Sequence, residues 1–231
     1  MKKLLLLFFF FSLLSAEAQF WKKSTSTTPT ASEVTKALKE ALQQGATKGA
    51  AQVSQLDGYF KNPEIKIPFP QDVQMVESKM RALGMGKQVD EFVLSLNRAA
   101  EDAAKQAAPI FVSAIQKMSI EDAYAILKGQ PDAATQYLSR TTTPQLKEKF
   151  MPIVKASLDK VNATRYYADL IGYYNRVPFV QKVNPDLTGY ATDKAIAGLF
   201  VMIAKEEKNI RKDPLARTTD LLKKVFSSVT K

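Results

Sequence analysis

Ser157 and Lys160 have the spacing of a catalytic couple in which a lysine activates a serine nucleophile. In enzymes of that kind the Ser-x-x-Lys motif works with Ser-Asp-Asn and Lys-Thr-Gly elements, and neither tripeptide occurs in this sequence. A helical wheel also places Ser157 among apolar side chains. We therefore interpret Ser157 as a core residue and predict no catalytic residue from this spacing.

The two residue types used most often in catalysis and metal binding are missing. The 231 residues include no Cys and no His. Thiol nucleophiles, disulfides, imidazole bases and the thiolate or imidazole ligands of zinc sites are therefore excluded. We predict a protein that is not an enzyme, with no cofactor and no metal site.

Four tyrosines form the most concentrated group of amphipathic side chains in the sequence. Tyr166, Tyr167, Tyr173 and Tyr174 share one broad arc of a predicted helix. Such an arc can line a groove for a small apolar ligand, with the hydroxyls supplying directed hydrogen bonds. The alternative is a core face whose hydroxyls reach the surface.

Arginines accompanied by threonines stand at two predicted helix starts. Arg140 precedes Thr141–Thr143, and Arg217 precedes Thr218 and Thr219. A helix N-terminus next to an arginine can hold a phosphate or carboxylate, so both places are candidate sites for an anionic ligand. The alternative is that the threonines are helix caps.

Two adjacent carboxylates follow the most apolar part of the sequence. Glu207 is four residues before Arg211, the spacing of a helical ion pair. Glu206 lies on the apolar side of the same helix, where a charge needs a partner. We expect Arg217 to be that partner, with Arg98 less favoured, and we interpret these contacts as structural ion pairs.

Charged residues on another predicted helix have ordinary surface spacing. Arg98 is four residues before Asp102, and Glu101 is four residues before Lys105. Asn97, Arg98 and Glu101 could form a reactive group. We interpret them instead as exposed ion pairs of a solvated helix face.

These residues must be positioned by helices, and one helix is central. Ala195–Ala204 contains no charge and no polar side chain, and its apolar residues point in all directions around a helix axis. A helix that is apolar all round is buried, and this run is too short to cross a bilayer. We predict an all-α fold, a single multi-helix bundle-like domain around a central helix at Tyr190–Arg211.

Apolar periodicity, caps and breaks at Pro or Gly predict the remaining elements. The segment Asp57–Pro70 ends with two X-Pro steps, Ile67-Pro68 and Phe69-Pro70, so this end should be extended, and the segment should lie across the bundle or form a ribbon. Helices are predicted at Ser32–Leu56, Gln71–Leu83, Lys87–Ala108, Ile110–Lys117, Ile120–Lys128, Pro131–Ser139, Pro144–Val161, Ala163–Asn175 and Thr219–Phe226.

The N-terminus has the pattern of a secretory signal peptide. A basic start at Lys2 and Lys3 precedes an apolar run and a small-x-small cleavage site that ends at Ala18. We predict a signal peptide at 1–18, a flexible Ser/Thr-rich lead-in at 19–31 and one domain at 32–231. The mature protein should be periplasmic or secreted.

The charge balance is basic but dispersed. The chain has a net charge of +10, and its longest basic runs are pairs such as Lys22-Lys23. Export makes nucleic acid an unexpected partner. Weak attraction to an anionic membrane surface is the expected consequence.

Six short motifs, together with the signal peptide, indicate a family. They are Asp57-Gly58-Tyr59-Phe60, Asn97-Arg98-Ala99-Ala100-Glu101, Ala133-Ala134-Thr135-Gln136-Tyr137, Gly198-Leu199-Phe200, Glu206-Glu207 and Ala216-Arg217-Thr218-Thr219. The sequence resembles an exported, all-helical family of Gram-negative bacteria that is catalogued as domain of unknown function 4197. The resemblance covers nearly the whole mature chain and implies one exported helical domain. It implies no activity and no functional residues.

The leading functional prediction is a non-enzymatic protein of the cell envelope. It would bind a small apolar or anionic ligand, or a protein partner, between its helices. The alternative is a structural or adaptor protein that docks on another envelope component through an exposed apolar patch. An enzyme that works through carboxylates such as Glu206 and Glu207 is the third possibility.

Overall fold

The fold is all-α, as the sequence predicts. The computed structural model describes residues 30–213, 219–220 and 223–225, and these residues include no β-strand. A short 3-10 helix at Gln71–Val73 precedes α2. The α-helices are α1 (Ala31–Val53), α2 (Gln74–Ala82), α3 (Gly86–Ala104), α4 (Ala107–Gln116), α5 (Ile120–Lys128), α6 (Ala133–Asp159), α7 (Ala163–Tyr174) and α8 (Leu187–Lys212).

Helix α8 is the centre of the packing. It contacts α1, α3, α6 and α7, and one continuous hydrophobic core surrounds it. The prediction of burial on all sides is wrong at two positions of the apolar run, because Ala197 and Val201 are exposed, the latter by 39%. Within the described ranges α8 is the one helix that is long and apolar enough to cross a bilayer. This is weak evidence for a membrane span, because the central helix of a protein core meets the same criterion.

Two helices begin at capping boxes that satisfy their first backbone N–H groups. Thr30 accepts a hydrogen bond from the N–H of Glu33, whose carboxylate accepts from the N–H of Thr30. Ser119 and Asp122 make the same reciprocal pair at α5. These local signals explain why the start of α5 could be predicted at the correct residue.

Helix α6 corrects the prediction of two separate helices. It runs unbroken from Ala133 to Asp159 with Pro144 and Pro152 inside it. A proline inside a helix costs about 3 kcal/mol. Each large apolar side chain that becomes fully buried stabilises the fold by about 1.5–3 kcal/mol. The continuous helix buries a stripe of five such side chains, which outweighs the two prolines: Leu138, Leu146, Phe150, Val154 and Leu158.

The hydroxyls before Pro144 act along the helix instead of capping its start. Thr141, Thr142 and Thr143 each donate to the carbonyl four residues earlier, at distances of 2.6–2.8 Å. Thr142 is itself buried. Arg140 therefore lies in the middle of a helix, not next to a helix N-terminus.

The segment Asp57–Pro70, which we name the strap, crosses the bundle in an extended and turn-rich path. Of the two predicted arrangements it takes the first, because the described residues form no ribbon. Tyr59, Ile67 and Phe69 are buried. The Tyr59 hydroxyl donates to the carbonyl of Ala195 on α8 at 2.6 Å. Burial, together with the nearby Glu101 carboxylate, raises the pKa of Tyr59 well above its usual value.

Candidate functional site

A long open groove with a volume of about 1020 Å³ runs beside α3. We name it the groove. Its walls come from α2, the first half of α7, the end of α6 and the exit of α1. One half is mainly apolar and the other mainly polar. The lining includes Leu56, Phe69, Met80, Met85, Val89, Phe92, Arg98, Glu101, Asp102, Lys105, Ser157, Val161, Tyr166, Tyr167 and Leu170.

Aromatic side chains hold the floor of the apolar half together. Phe92 on α3 stacks on Tyr167 of α7 with 6.1 Å between ring centroids. It also contacts Phe69 of the strap at 5.1 Å. Three separate elements therefore meet at one half-buried ring in the lining of the groove.

Large apolar side chains at the groove remain uncovered by protein. Leu56 is 76% exposed, Tyr166 65%, Val161 53% and Met85 38%. Single exposed apolar residues are normal on a protein surface. Several around one concavity are typical of a binding site.

The wall formed by α2 packs against the core through the partly buried Val76 and Met80. No residue of α2 is fully buried, and its main contact is with α3. Met80 on α2 and Met85 in the following turn line the groove. Methionine side chains are flexible and polarizable, so this wall can adapt to the shape of a ligand.

In the polar half of the groove, the charged residues of α3 form ion pairs other than the predicted ones. Arg98 binds the carboxylates of Glu101 and Asp57, each at 2.6 Å, instead of pairing with Asp102. Lys105 pairs with Asp102 at 2.8 Å instead of with Glu101. Hydrogen bonds from Lys61 and Arg98 lower the pKa of Asp57 below its usual value.

Asn97 and Glu101 are buried, which corrects the prediction of an exposed face. The Asn97 carboxamide accepts from the N–H of Ile67 and donates to its carbonyl, both at 2.8 Å. Glu101 accepts from the N–H groups of Tyr59 and Phe60. Turn hydrogen bonds within the strap satisfy part of its backbone, and these two α3 side chains satisfy buried groups that the turns leave over. The i, i+4 spacing of charges on α3 could not indicate these contacts, because their partners in the strap are distant in sequence.

The four predicted tyrosines are divided along the axis of α7. Tyr166 and Tyr167 line the groove, and Tyr167 is buried. Burial and the nearby Asp72 carboxylate raise the pKa of Tyr167 to about 12. Tyr173 is 69% exposed and Tyr174 is partly buried, and both lie beyond the groove. The groove extends along only the first two turns of α7. Tyrosines on the same face of the helix therefore lie inside the groove in these turns and outside it in the last turn.

The predicted anion sites receive no support from the described residues. Arg140 is exposed and lies over the ring of Tyr137, with 5.8 Å from guanidinium carbon to ring centroid. Because α6 is continuous there, no N-terminal backbone N–H groups are available to an anion. Arg217 and Thr218, the second predicted site, lie outside the described residues.

Glu206 is buried and has a partner other than Arg98. Its carboxylate accepts from Lys48 Nζ at 2.8 Å and from Gln52 Nε2 at 3.5 Å. Both partners are on α1, which approaches α8 closely through Gly45 and Gly49. The expected contact with Arg217 cannot be placed, because Arg217 lies outside the described residues.

Glu207 makes the predicted ion pair and also joins two helices. Arg211 Nη2 is 2.8 Å from its carboxylate. The same carboxylate accepts from the backbone N–H of Ala134 and from the N–H and hydroxyl of Thr135, at 2.8–3.1 Å. It therefore caps the N-terminus of α6 from α8. The sequence gives no signal for this contact, because Asp132 is a favourable N-cap residue and yet makes no side-chain cap in the structure.

The Ser-x-x-Lys spacing does not produce a catalytic couple in this arrangement. The Ser157 hydroxyl lies 3.5 Å from a carboxylate oxygen of Asp102, while Lys160 is exposed. Ser157 lines the groove instead of the core, because Val154 and Leu158 are the inward residues. Within the described ranges, no group of three acidic side chains could hold a metal ion.

A comparison with known proteins supports the resemblance noted from the sequence motifs. No curated protein and no solved structure matches this chain. A family model described as "Protein of unknown function (DUF4197)" matches residues 28–227. This match spans every described helix and nearly the whole predicted mature chain. The chain therefore belongs to the DUF4197 family.

Proposed function

We propose that this chain is a non-enzymatic protein of the cell envelope that binds a small apolar molecule in the groove. The observation that carries the proposal is the set of uncovered apolar side chains around one concavity, Leu56, Met85, Val161 and Tyr166. The groove volume of about 1020 Å³ lies at the upper end of the range of about 300–1,000 Å³ found for small-molecule sites.

The exposed area at the groove is large enough to support useful affinity. Full burial of one large apolar side chain is worth about 1.5–3 kcal/mol. Covering the exposed parts of the four rim side chains would therefore contribute roughly 3–7 kcal/mol from the protein side alone. The cost of immobilising the ligand reduces this gain, and burial of the ligand's own surface adds to it.

An apolar ligand fits the groove better than a simple anion does. The charged side chains of the lining are Glu91, Arg98, Glu101, Asp102 and Lys105, three acidic and two basic. Arg98, the more buried base, is already engaged by two carboxylates. The groove therefore offers no net attraction to negative charge.

A partner helix is the second candidate occupant, because the groove is open along its length. In that case the chain is an adaptor that docks on another envelope component. Against the enzyme alternative, Glu206 and Glu207 are both buried and used in contacts between helices. Export itself is proposed from the signal-peptide pattern, and the mature N-terminus should be Gln19.

Titration with a neutral apolar dye, N-phenyl-1-naphthylamine, tests the proposed function. Wild-type protein should enhance the dye fluorescence saturably at one dye per chain. Tyr166→Glu should weaken this binding at least tenfold, because it places a charge at the groove rim. Tyr173→Glu is the matched control, an equally exposed tyrosine of α7 outside the groove. Absence of saturable binding, or equal effects of the two variants, would contradict the proposal.

A further inference from the structure

We infer that the molecule held in the groove is a single-chain amphiphile with a zwitterionic head group. It would lie lengthwise, with its tail against Phe92 and Tyr167 and its head at Asp102 and Lys105. The inference rests on the proposed function and adds the ligand class and its orientation. Three features of the groove support it. Apolar and charged residues lie at different ends, the groove is as long as an extended lipid, and the Asp102–Lys105 ion pair at the polar end is exposed.

Apolar and charged residues occupy opposite ends of the groove. Along α3, Val89 and Phe92 face it near the N-terminus of the helix, and Arg98, Asp102 and Lys105 face it near the C-terminus. Methionines, Phe69, Tyr167 and Leu170 complete the apolar end. Two lining residues depart from this order: Glu91, an exposed side chain paired with Lys87 at 3.8 Å, and Leu56, which directly precedes the Asp57 that binds Arg98. A ligand that satisfies both ends has one apolar end and one polar end.

The length of the groove matches one extended lipid. Its lining on α3 runs from Gln88 to Lys105. At 1.5 Å per residue this stretch is about 26 Å long. One leaflet of a bilayer is half of a total thickness of about 40–45 Å, so an extended lipid is about 20–22 Å long. A chain with its head group therefore fits lengthwise without folding back.

The ion pair at the polar end suits a head group with both charges. Asp102 and Lys105 are 2.8 Å apart, and their side chains are 46% and 59% exposed. An exposed pair of this kind contributes little stability, so it can open at low cost. A zwitterion can place its cation beside Asp102 and its anion beside Lys105, and the Ser157 hydroxyl can donate to the anion.

Head groups with a single charge fit this end less well. An anion would satisfy Lys105 but would leave Asp102 facing a like charge. A cation would satisfy Asp102 and leave Lys105 without its partner. Arg98 cannot compensate, because Glu101 and Asp57 hold it. An uncharged head would leave the Asp102–Lys105 pair closed and would gain neither charged contact. The groove should therefore select the zwitterion over either ion and over an uncharged head.

Competition between the bound dye and four dodecyl amphiphiles tests the inference. The probes are dodecylphosphocholine, dodecanoate, dodecyltrimethylammonium and dodecyl maltoside, each below the concentration at which it forms micelles. Dodecylphosphocholine should displace the dye at a concentration at least tenfold lower than the other three. Asp102→Asn and Lys105→Gln should each reduce the ratio of phosphocholine to maltoside affinity to about one. Lys155→Gln is the matched control, since Lys155 forms an exposed pair with Asp159 outside the groove. It should keep the wild-type ratio.

The outcomes separate the inference from the proposed function. Dye binding with equal displacement by all four amphiphiles would overturn the zwitterion and leave the apolar site standing. Preferential displacement by dodecanoate or by dodecyltrimethylammonium would overturn it in the same way. If neither the dye nor any amphiphile binds, the proposed function itself is wrong.

Discussion

Glu207 shows how one side chain can connect distant parts of this fold. It is buried on α8 and receives three hydrogen bonds from the first turn of α6 and an ion pair from Arg211. A buried carboxylate is costly unless its oxygens are satisfied, and here several donors satisfy them. The negative charge also faces the positive end of the α6 dipole.

Glu207→Gln should lower the free energy of unfolding by about 1–3 kcal/mol, because its amide group would face backbone donors. Chemical denaturation of both proteins measures the difference. Glu148→Gln, at an exposed position of α6, is the control and should change stability by less than about 0.5 kcal/mol. Equal effects of the two changes would show that the contacts of Glu207 with α6 do not contribute to the free energy of unfolding.

Gly198 is the point where the strap touches α8. A Cβ atom there would lie 2.7 Å from Tyr59 Cε1 and 3.1 Å from Ile65 Cβ. Gly198→Ala should therefore destabilise the protein by about 1–3 kcal/mol through overpacking. Gly172→Ala on α7 meets no atom within 4 Å and should be neutral or stabilising by up to about 1 kcal/mol. Thermal melting of both variants measures the difference. A Gly198→Ala protein as stable as the Gly172→Ala protein would contradict the close packing of the strap on α8 at Gly198.

Tyr167 gives stability a dependence on alkaline pH. Burial and Asp72 raise its pKa to about 12 in the folded chain, against about 10 when unfolded. The folded state thus holds the proton more tightly, and this contribution is present below pH 10 and lost as pH rises toward 12. Tyr167→Phe should show a smaller loss of melting temperature than wild type between pH 10 and pH 12. The exposed Tyr166→Phe serves as the control for the substitution itself. An equally steep loss in the Tyr167→Phe protein would contradict the raised pKa.

At the scale of elements, periodicity predicted the helices well where caps or breaks marked them. The start of α5 follows from Ser119 and Asp122, and Pro178 follows the end of α7 as expected. The prolines of α6 misled the prediction, because local propensity indicates a break and only tertiary burial offsets its cost. After Phe150 the inward residues of α6 are Val154 and Leu158, one position later than the predicted Ile153 and Ser157, so Ser157 lines the groove.

Asn97 of α3 hydrogen-bonds both backbone groups of Ile67 in the strap. Asn97→Ala would leave the buried N–H and carbonyl of Ile67 without partners. Each buried unsatisfied group costs about 1–3 kcal/mol, so we expect a loss of about 2–5 kcal/mol in denaturant unfolding. Ser95→Ala, which removes a hydroxyl bonded only to its own helix, is the control. A loss below about 1 kcal/mol for Asn97→Ala would contradict this role.

At the scale of the molecule, the sequence predicted the fold class, the central helix and the family. It could not predict the groove, because its lining combines residues of α3 with residues of α7 that are more than sixty positions later. Of the predicted ligand-binding residues, Tyr166 and Tyr167 are the ones that line it. The amphipathic character of these tyrosines is visible in the sequence. That the groove ends before it reaches Tyr173 depends on how the helices pack, which the sequence does not show.

Native mass spectrometry of the protein purified from its own envelope tests the ligand site most directly. We expect a complex heavier than the bare mature polypeptide by the mass of one amphiphile, and removal of this added mass by organic extraction. Tyr166→Glu protein purified in the same way should carry little of it, and Tyr173→Glu protein should carry the wild-type amount. A wild-type monomer at its bare polypeptide mass, with neither a small molecule nor a partner bound, would contradict a ligand-binding function.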